Sequence, residues 1–282
     1  MLQLKNVQKK YQDFQLDCSL EVKAGTVTGL IGANGAGKST TFKAILDLIS
    51  IDGGEVAIFG KGHRQLTCRD KEDIGVVMAD TGFSGFLTIT GVVRILNSMY
   101  HDFNKKEFLE RCNECRLPLD KQLKDFSTGM RARLNLIVAL SHNARLLILD
   151  EPTAGLDVIA RDELLHLLRT YMEKEDRAIL ISSHISSDLE GLCDDVYMIH
   201  DGRILFHEDT DVLLDGYGVL KVNEEQYSRL DKSQIVYQKK EPFGYRCLAR
   251  EKQFYMDNYP EIIIEKSGID DFMTLVEKGE KV

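Results

Sequence analysis

The sequence predicts an α/β fold in which a parallel β-sheet carries helices on both faces. Short apolar runs of strand length alternate with segments of helical periodicity along most of the 282 residues. Leu146–Leu149 is a continuous apolar run, as expected of a parallel strand that is buried on both faces. Gly32–Ser39 joins an apolar run to a helical segment and fits the glycine-rich pattern that wraps phosphate groups.

The predicted elements follow one another along the chain. The predicted strands are Leu2–Val7, Leu16–Val22, Val27–Ile31, Glu55–Phe59, Ile74–Met78, Leu146–Leu149, Ala178–Ile181, Val196–Ile199 and Arg203–Phe206. A helix is predicted over Thr41–Ile49, and helical periodicity dominates from about residue 84 to 140, which indicates an inserted helical subdomain. Asp201-Gly202 is typical of a hairpin turn.

The chain divides by composition near residue 210. Residues 1–210 carry all of the motifs, so we expect one large domain there. From 211 to 282 aromatic and charged residues are interspersed without a phosphate-binding motif, which favours a small accessory α+β domain.

Charge and hydropathy exclude several function classes. A net charge of −9 argues against a broad nucleic-acid surface, so we expect no nucleic-acid partner. The apolar runs are too short to span a bilayer, and the N-terminus lacks a signal-peptide layout. The sequence therefore predicts a cytoplasmic chain whose membrane role comes through a partner.

Cys112 and Cys115 form a Cys-x-x-Cys pair, a spacing found in metal and redox sites. The pair lies in a charged helical segment, and no second pair or histidine follows at zinc spacing. We interpret both as inert thiols, with a metal or redox site as the alternative.

Gly32–Ser39 has the spacing of a triphosphate-binding loop. Gly32, Gly35 and Gly37 allow backbone N–H groups to point inward without a Cβ penalty. Lys38 then offers a cation to the β- and γ-phosphates of ATP, and the Ser39 hydroxyl is a predicted Mg²⁺ ligand. The predicted phosphate-contacting residues are Gly32, Ala33, Asn34, Gly35, Ala36, Gly37, Lys38, Ser39 and Thr40.

Two carboxylates end the buried run Leu146–Leu149. The carboxyl ends of parallel strands form the edge where ligands bind in open α/β sheets. Asp150 is therefore a predicted Mg²⁺ ligand, and Glu151 a predicted general base for the attacking water. The alternative is a strand that ends in solvated acids.

Five motifs in order resemble the nucleotide-binding subunit of ATP-binding cassette (ABC) transporters. They are Gly32–Ser39, Phe126–Met130, Leu146–Glu151, Ala154–Asp157 and Ser182–His184. The resemblance covers roughly residues 1–210 and implies a P-loop NTPase (RecA-like) core with an antiparallel β-subdomain and an inserted helical subdomain.

The resemblance also implies roles for single residues. Ser127 and the Gly129 amide would bind the γ-phosphate of ATP on an opposite subunit, and Asp157 would lie in the loop that crosses the dimer interface. His184 matches the switch histidine that contacts the γ-phosphate. Tyr11 lies where an aromatic ring stacks on adenine; Phe14 or a plain surface role for Tyr11 are the alternatives.

The sequence departs from the family pattern after Ile74–Met78. Where the family usually has a glutamine, this chain has Ala79 followed by Asp80. Asp80 is a candidate water-bridged Mg²⁺ ligand in its place. The signature also has Thr128 for glycine and Met130 for glutamine.

The resemblance implies an ATPase subunit of a transporter, with a separate integral-membrane permease and a second ATP-binding subunit as partners. The signature and the extra C-terminal domain are similar to Gram-positive exporter ATPases for antibiotics and peptides. A soluble non-transport ABC ATPase and a low-turnover nucleotide switch are the alternatives. Phe83, Phe86 and Leu87 are predicted either to dock the permease or to pack in the core.

Overall fold

The computed structural model describes residues 1–78 and 82–282, and within them the chain forms two β-sheets. The larger sheet contains β1 (Leu2–Lys10), β2 (Gln15–Val22), β3 (Val27–Ile31), β4 (Gly53–Ile58), β5 (Lys61–Gly62), β6 (Ile74–Val77), β7 (Leu146–Asp150), β8 (Ala178–Ser182), β9 (Asp195–His200) and β10 (Arg203–Asp209). The smaller sheet contains β11 (Gly218–Val222), β12 (Ile235–Glu241), β13 (Gly244–Ala249), β14 (Ile263–Lys266) and β15 (Glu280–Lys281).

The helices connect these strands and cover the sheets. They are α1 (Lys38–Ile45), α2 (Cys68–Glu72), α3 (Ile89–Met99), α4 (Lys105–Glu114), α5 (Thr128–Leu140), α6 (Val158–Met172), α7 (Ser186–Glu190), α8 (Glu224–Arg229), α9 (Lys252–Asn258) and α10 (Ile269–Lys278). Short 3₁₀ turns cover His63–Gln65 and Leu123–Asp125, and a π-helical turn covers Val212–Gly216.

The larger sheet has a parallel half and an antiparallel half. Its strand order is β5-β4-β1-β2-β10-β9-β3-β8-β7-β6, and the run from β9 to β6 is parallel throughout. Strands β4, β1 and β2 pair antiparallel beside it. This architecture confirms the predicted α/β core with an antiparallel β-subdomain, and the connection from β6 to β7 contains α3, α4 and α5.

The hairpin between β9 and β10 supports the loop that follows β3. Asp201 and Gly202 both have positive φ, 44° and 75°, as a two-residue hairpin with right-handed strand twist requires. A Cβ on Gly202 would lie 2.0 Å from the Gln15 carbonyl oxygen, so only glycine fits this turn. The Gly202 N–H donates to the Ala36 carbonyl at 2.8 Å and ties the hairpin to the glycine-rich loop.

Helix α1 is shorter than the sequence predicts. We expected it to reach Ile49, but it ends at Ile45, and Asp47 adopts φ 54°. The apolar spacing misleads here because Leu46 and Ile49 pack against the same core cluster from the turn that follows the helix.

Separate core clusters lie on the two faces of the larger sheet. One cluster contains the fully buried Phe42 and Ile45 of α1, together with buried residues of β1. The other packs under α5 and α6, where Leu164 and Leu168 are fully buried, and this cluster continues into α10. A third cluster joins α3, α4 and α5 and forms the core of the helical segment.

The smaller sheet belongs to the C-terminal part of the chain and has the order β14-β11-β13-β12-β15. Its own core contains the fully buried Tyr255 and Cys247. The predicted division into 1–210 and 211–282 stays our proposal, supported by these two separate sheets.

The Cys-x-x-Cys pair is reduced, with Cys112 buried in α4 and Cys115 at the end of that helix. Burial raises the pKa of the Cys112 thiol to about 12 and also raises the pKa of the Cys115 thiol. A raised pKa disfavours the thiolate that metal binding and redox exchange need. Within the described residues we find no cluster of three His, Cys, Asp or Glu side chains that could hold a metal ion. None of the helices in this described part of the chain combines the length and the apolar character that a membrane span requires.

Candidate functional site

Three neighbouring parallel strands bring the predicted site residues to one edge of the larger sheet. In the register, β3 Leu30 and β7 Asp150 both pair with β8 Ser182. The glycine-rich loop, the Asp150–Glu151 pair and the Ser182–His184 segment therefore leave the sheet side by side. This is the carboxyl edge, where α/β sheets bind ligands.

The glycine-rich loop begins with Gly32, where the backbone is too close to β9 for a side chain. Gly32 has φ 157°, and a Cβ would lie 2.3 Å from the Ile199 carbonyl oxygen. Any larger residue must therefore move the loop away from the sheet. Ala33 and Ala36 close a turn at 3.1 Å, Gly35 and Gly37 continue with positive φ, and Asn34 and Gly35 are exposed.

Lys38 is buried at the start of α1, with only 6% of its surface exposed. Its Nζ donates to the Gly32 carbonyl at 2.7 Å and to the Ala33 carbonyl at 3.3 Å. The same ammonium lies 3.4 Å from Glu151 Oε1, an oxygen that has no hydrogen-bond partner among the described residues. Among the described residues, the Glu151 carboxylate is therefore the anion nearest to Lys38, and a bound phosphate would compete with it for this cation.

Glu151 is held between Lys38 and His184. It adopts φ 52°, a left-handed conformation that is uncommon outside glycine and is found at functional sites. Its Oε2 accepts the His184 N–H at 3.1 Å and lies 2.6 Å from His184 Nδ1. The histidine side chain is half exposed, whereas the glutamate side chain is 17% exposed. Lys38 contacts one oxygen of the Glu151 carboxylate and His184 the other, so both oxygens are held in place.

Ser182 links the two carboxylates, a role that we did not predict. Its hydroxyl donates to Asp150 Oδ1 at 2.8 Å and accepts the Glu151 N–H at 3.0 Å. Asp150 is almost fully buried, so this bond fixes its orientation. The sequence signal was partial, because Ser182 follows the predicted strand Ala178–Ile181 and begins the motif Ser182–His184, whereas its pairing with Asp150 depends on the strand order.

Ser39 and Thr40 lie in the first turn of α1, after Gly37 as the N-cap. Ser39 is exposed and Thr40 half-buried, whereas the next hydroxyl, Thr41, is buried and donates to the Gly37 carbonyl at 2.9 Å. The first N–H groups of a helix have no partner within the helix and attract anions. The hydroxyl of Ser39 thus lies in the helix turn whose backbone N–H groups have no partner within the helix.

Ser127 and Asp157 are helix N-caps. The Ser127 hydroxyl accepts the Met130 N–H at 3.2 Å at the start of α5, and Asp157 accepts the Ala160 N–H at 2.8 Å at the start of α6. Gly129 lies in the first turn of α5, where a Cβ would lie 3.7 Å from Ala160. The hydrogen bonds of these residues stay within their own helices, so within one chain they serve α5 and α6 and not the loop around Lys38.

Tyr11 and Phe14 occupy the turn between β1 and β2, where the Tyr11 N–H donates to the Phe14 carbonyl at 2.8 Å. Tyr11 is 49% exposed, and Lys9 Nζ lies 5.7 Å from the centroid of its ring. Phe14 instead faces the loop, since its ring atom Cζ lies 3.0 Å from the position of a Cβ on Gly37. The Tyr11 and Phe14 ring centroids lie 6.2 Å apart, so Tyr11 is a neighbour of the ring that contacts the loop.

A cleft of about 610 Å³ opens beside the carboxylates. Its lining includes Asp150 and Glu151 as well as Thr128 and Arg131 of α5. The predicted ligand Asp80 and the preceding Ala79 lie outside the described residues.

Comparison with known proteins agrees with this geometry. Residues 16–154 match the profile of the ABC transporter family. A bacitracin transport ATP-binding protein of Bacillus licheniformis is 36% identical over 66% of this chain, which spans 62% of that relative's length. A lantibiotic transport ATP-binding protein of Streptococcus pyogenes is 31% identical over 85% of this chain and over its own full length.

A comparison with solved structures also finds ABC transporter subunits. A solved ATP-binding subunit of an ABC transporter aligns with 75% of this chain and 90% of its own, with a TM-score of 0.68 and 28% identity. The chain therefore belongs to the ABC transporter family as one of its ATP-binding subunits, in which ATP hydrolysis is coupled to transport.

Proposed function

We propose that this chain hydrolyses MgATP at the Lys38–Glu151–His184 site to power export of a peptide antibiotic or a similar compound. It works at the cytoplasmic face of the membrane, with a separate integral-membrane permease and a second ATP-binding subunit. The contact of Glu151 with both Lys38 and His184 is the observation that supports this proposal most strongly.

The proposed roles follow from that contact. When bound, ATP supplies the phosphoryl group and Mg²⁺ neutralises its charge. The Lys38 ammonium would leave the Glu151 carboxylate and bind a phosphate oxygen of ATP instead. The Glu151 carboxylate would then be free to act on water. Glu151 then takes a proton from the attacking water, while His184 keeps Oε2 oriented.

The donor set fits Mg²⁺ that arrives with the nucleotide. Mg²⁺ usually binds one or two carboxylates, water and substrate phosphates, and does not need an all-protein cage. Asp150 is fixed at the edge by Ser182, and Ser39 exposes its hydroxyl next to the loop. We propose Ser39 and Asp150 as the protein ligands, and Asp80 as a further, water-bridged one.

A second subunit explains the surface around Asp157. The two residues that follow it, Val158 and Ile159, are 76% and 71% exposed. Neighbouring exposed apolar residues indicate an interaction surface. We propose that a second ATP-binding subunit covers them, so that its ATP meets Ser127, Gly129 and Asp157 of this chain. Tyr11, with an exposed ring, is our candidate for adenine stacking.

The cargo class is proposed from the relatives that transport bacitracin and lantibiotics. The test is to purify the complex from native membranes through a tag on this chain and to measure ATP hydrolysis in proteoliposomes. We expect bacitracin or a lantibiotic to stimulate hydrolysis, whereas a free amino acid should not. Stimulation by the amino acid alone would contradict the cargo class, and a complex without a membrane protein would contradict the transport role.

Of the three residues predicted to dock the permease, we propose Phe86 as the one that contacts it. Phe83 and Leu87 are half-buried against the core of α3, α4 and α5, whereas Phe86 is 74% exposed, with Lys124 Nζ 5.2 Å from its ring centroid. Phe86→Glu should weaken permease assembly by about tenfold or more, since aromatic anchors dominate interfaces. The ATPase rate of the free chain should not change. Met99→Glu, also at an exposed apolar position, is the control, and equal loss of assembly in both variants would refute a specific role for Phe86.

A further inference from the structure

The C-terminal domain is attached to α7, the short helix that follows His184. Glu190 Oε1, on the last residue of α7, accepts the Ile269 N–H at 2.8 Å. The Ser186 hydroxyl donates to Asp270 Oδ2 at 2.8 Å. Both partners lie in the first turn of α10, so two hydrogen bonds join the two helices.

Apolar packing accompanies these hydrogen bonds. Leu189 of α7 is fully buried in the same core cluster as Ile269 and Phe272 of α10. The approach is close, since a Cβ on Gly268 would lie 2.9 Å from Glu190 Oε1. The start of α10 is therefore held to α7 by the Glu190 side chain and by shared apolar packing.

The other side of α7 is attached to α6. Asp188 is 2% exposed, and its Oδ1 lies 3.7 Å from Arg161 Nε. Arg169 donates to the Gly191 carbonyl at 3.4 Å. Helix α7 is thus held between α6, which begins after Asp157, and α10 of the C-terminal domain.

The attached segment leads directly to the site. Ser186 is two residues from His184, and between them the Ile185 N–H donates to Ser183 Oγ at 3.0 Å. His184 in turn touches Glu151 through its N–H and its ring. A displacement of α7 must therefore change where His184 holds the Glu151 carboxylate.

We propose that the C-terminal domain sets the position of His184 through α7, with Glu190 and Asp270 as positioning residues for hydrolysis. The proposal rests on the proposed function of Glu151 and His184, and it assigns a role to residues 211–282. ATP binding through Lys38 does not depend on α7. Loss of the attachment therefore lowers kcat and leaves the Kd for ATP unchanged.

The test uses the full-length chain with the double variant Glu190→Ala/Asp270→Ala, which removes both acceptors. We expect kcat to fall by about 2- to 30-fold, the range for residues that couple two sites without contacting ligand. Glu190→Gln/Asp270→Asn keeps an acceptor oxygen at each position and should retain most of the parent kcat. Glu241→Ala, which breaks the Lys239 ion pair elsewhere in the C-terminal domain, is the matched control and should leave kcat unchanged.

A double-mutant cycle with His184→Ala separates positioning from general destabilisation. If α7 acts through His184, the alanine pair should lower kcat no further in the His184→Ala background. Additive losses, or equal losses in Glu241→Ala, would overturn the proposal even where the parent chain hydrolyses ATP. A parent chain without ATPase activity would instead refute the proposed function.

Discussion

Lys38→Ala should abolish tight ATP binding. The variant removes a buried cation, and truncation of one partner of a buried charge pair costs about 2–5 kcal/mol, which corresponds to a Kd raised roughly 30- to 5,000-fold. The loss should be large here because Lys38 is the ammonium held on the Gly32 and Ala33 carbonyls inside the loop. Titration with ATP in the presence of Mg²⁺ measures the effect.

Lys43→Ala is the matched control, because Lys43 lies one turn further along the same α1 helix and is one of its last residues. It should bind ATP like the parent chain. Thermal unfolding of both variants checks that the fold survives, since Lys38→Ala also leaves Glu151 without its cation. An unchanged affinity in folded Lys38→Ala would refute the assignment of Gly32–Ser39 as the phosphate-binding loop.

The loop and the carboxylate pair could be predicted because their chemistry is local. Phosphate binding requires glycine, lysine and a hydroxyl at fixed spacing, and Gly32–Ser39 carries that requirement in eight consecutive residues. Asp150 and Glu151 follow a continuous apolar run, which identifies both the strand and its carboxyl end. The parallel sheet could be predicted from apolar runs of the same kind.

The role of Ser182 could not be read from one segment. It depends on β8 pairing with β7 in the register that sets Ser182 opposite Asp150, and strand pairing is non-local. The same limit applies to Phe83 and Phe86. Both are aromatic and three residues apart, yet one packs on the helical core and the other is exposed, because the loop that carries them has no regular period.

The packing partner of the C-terminal segment also could not be predicted from the sequence. Phe272 lies 5.1 Å from Phe206 and 4.8 Å from Tyr217 between ring centroids, and these contacts join α10 to β10 of the larger sheet and to the residue that precedes β11. The spacing of Ile269, Phe272, Leu275 and Val276 indicates an amphipathic helix, but the partner of its apolar face is a matter of tertiary packing.

Glu151→Gln should slow hydrolysis by about 10²–10⁴-fold, which is about 3–5 kcal/mol of barrier, because glutamine keeps the shape but cannot accept the proton of water. Its oxygen can still accept the His184 N–H, so the local fold should persist. The variant also removes the anion that competes for Lys38, and ATP affinity should therefore not fall. Single-turnover hydrolysis and an ATP titration measure the two effects separately.

Slow hydrolysis should also change the assembly of the variant. If two subunits share the phosphates of bound ATP, Glu151→Gln should dimerise with ATP in light scattering where the parent does not.

Asp150→Asn should differ, since it disturbs the proposed Mg²⁺ ligand and should weaken Mg²⁺-dependent binding itself. Glu225→Gln, on α8 outside the candidate site, is the control for the loss of one carboxylate. The general-base assignment fails if Glu151→Gln hydrolyses ATP at close to the parent rate. It fails equally if that variant loses ATP affinity as severely as Lys38→Ala, because Glu151 would then be a binding residue.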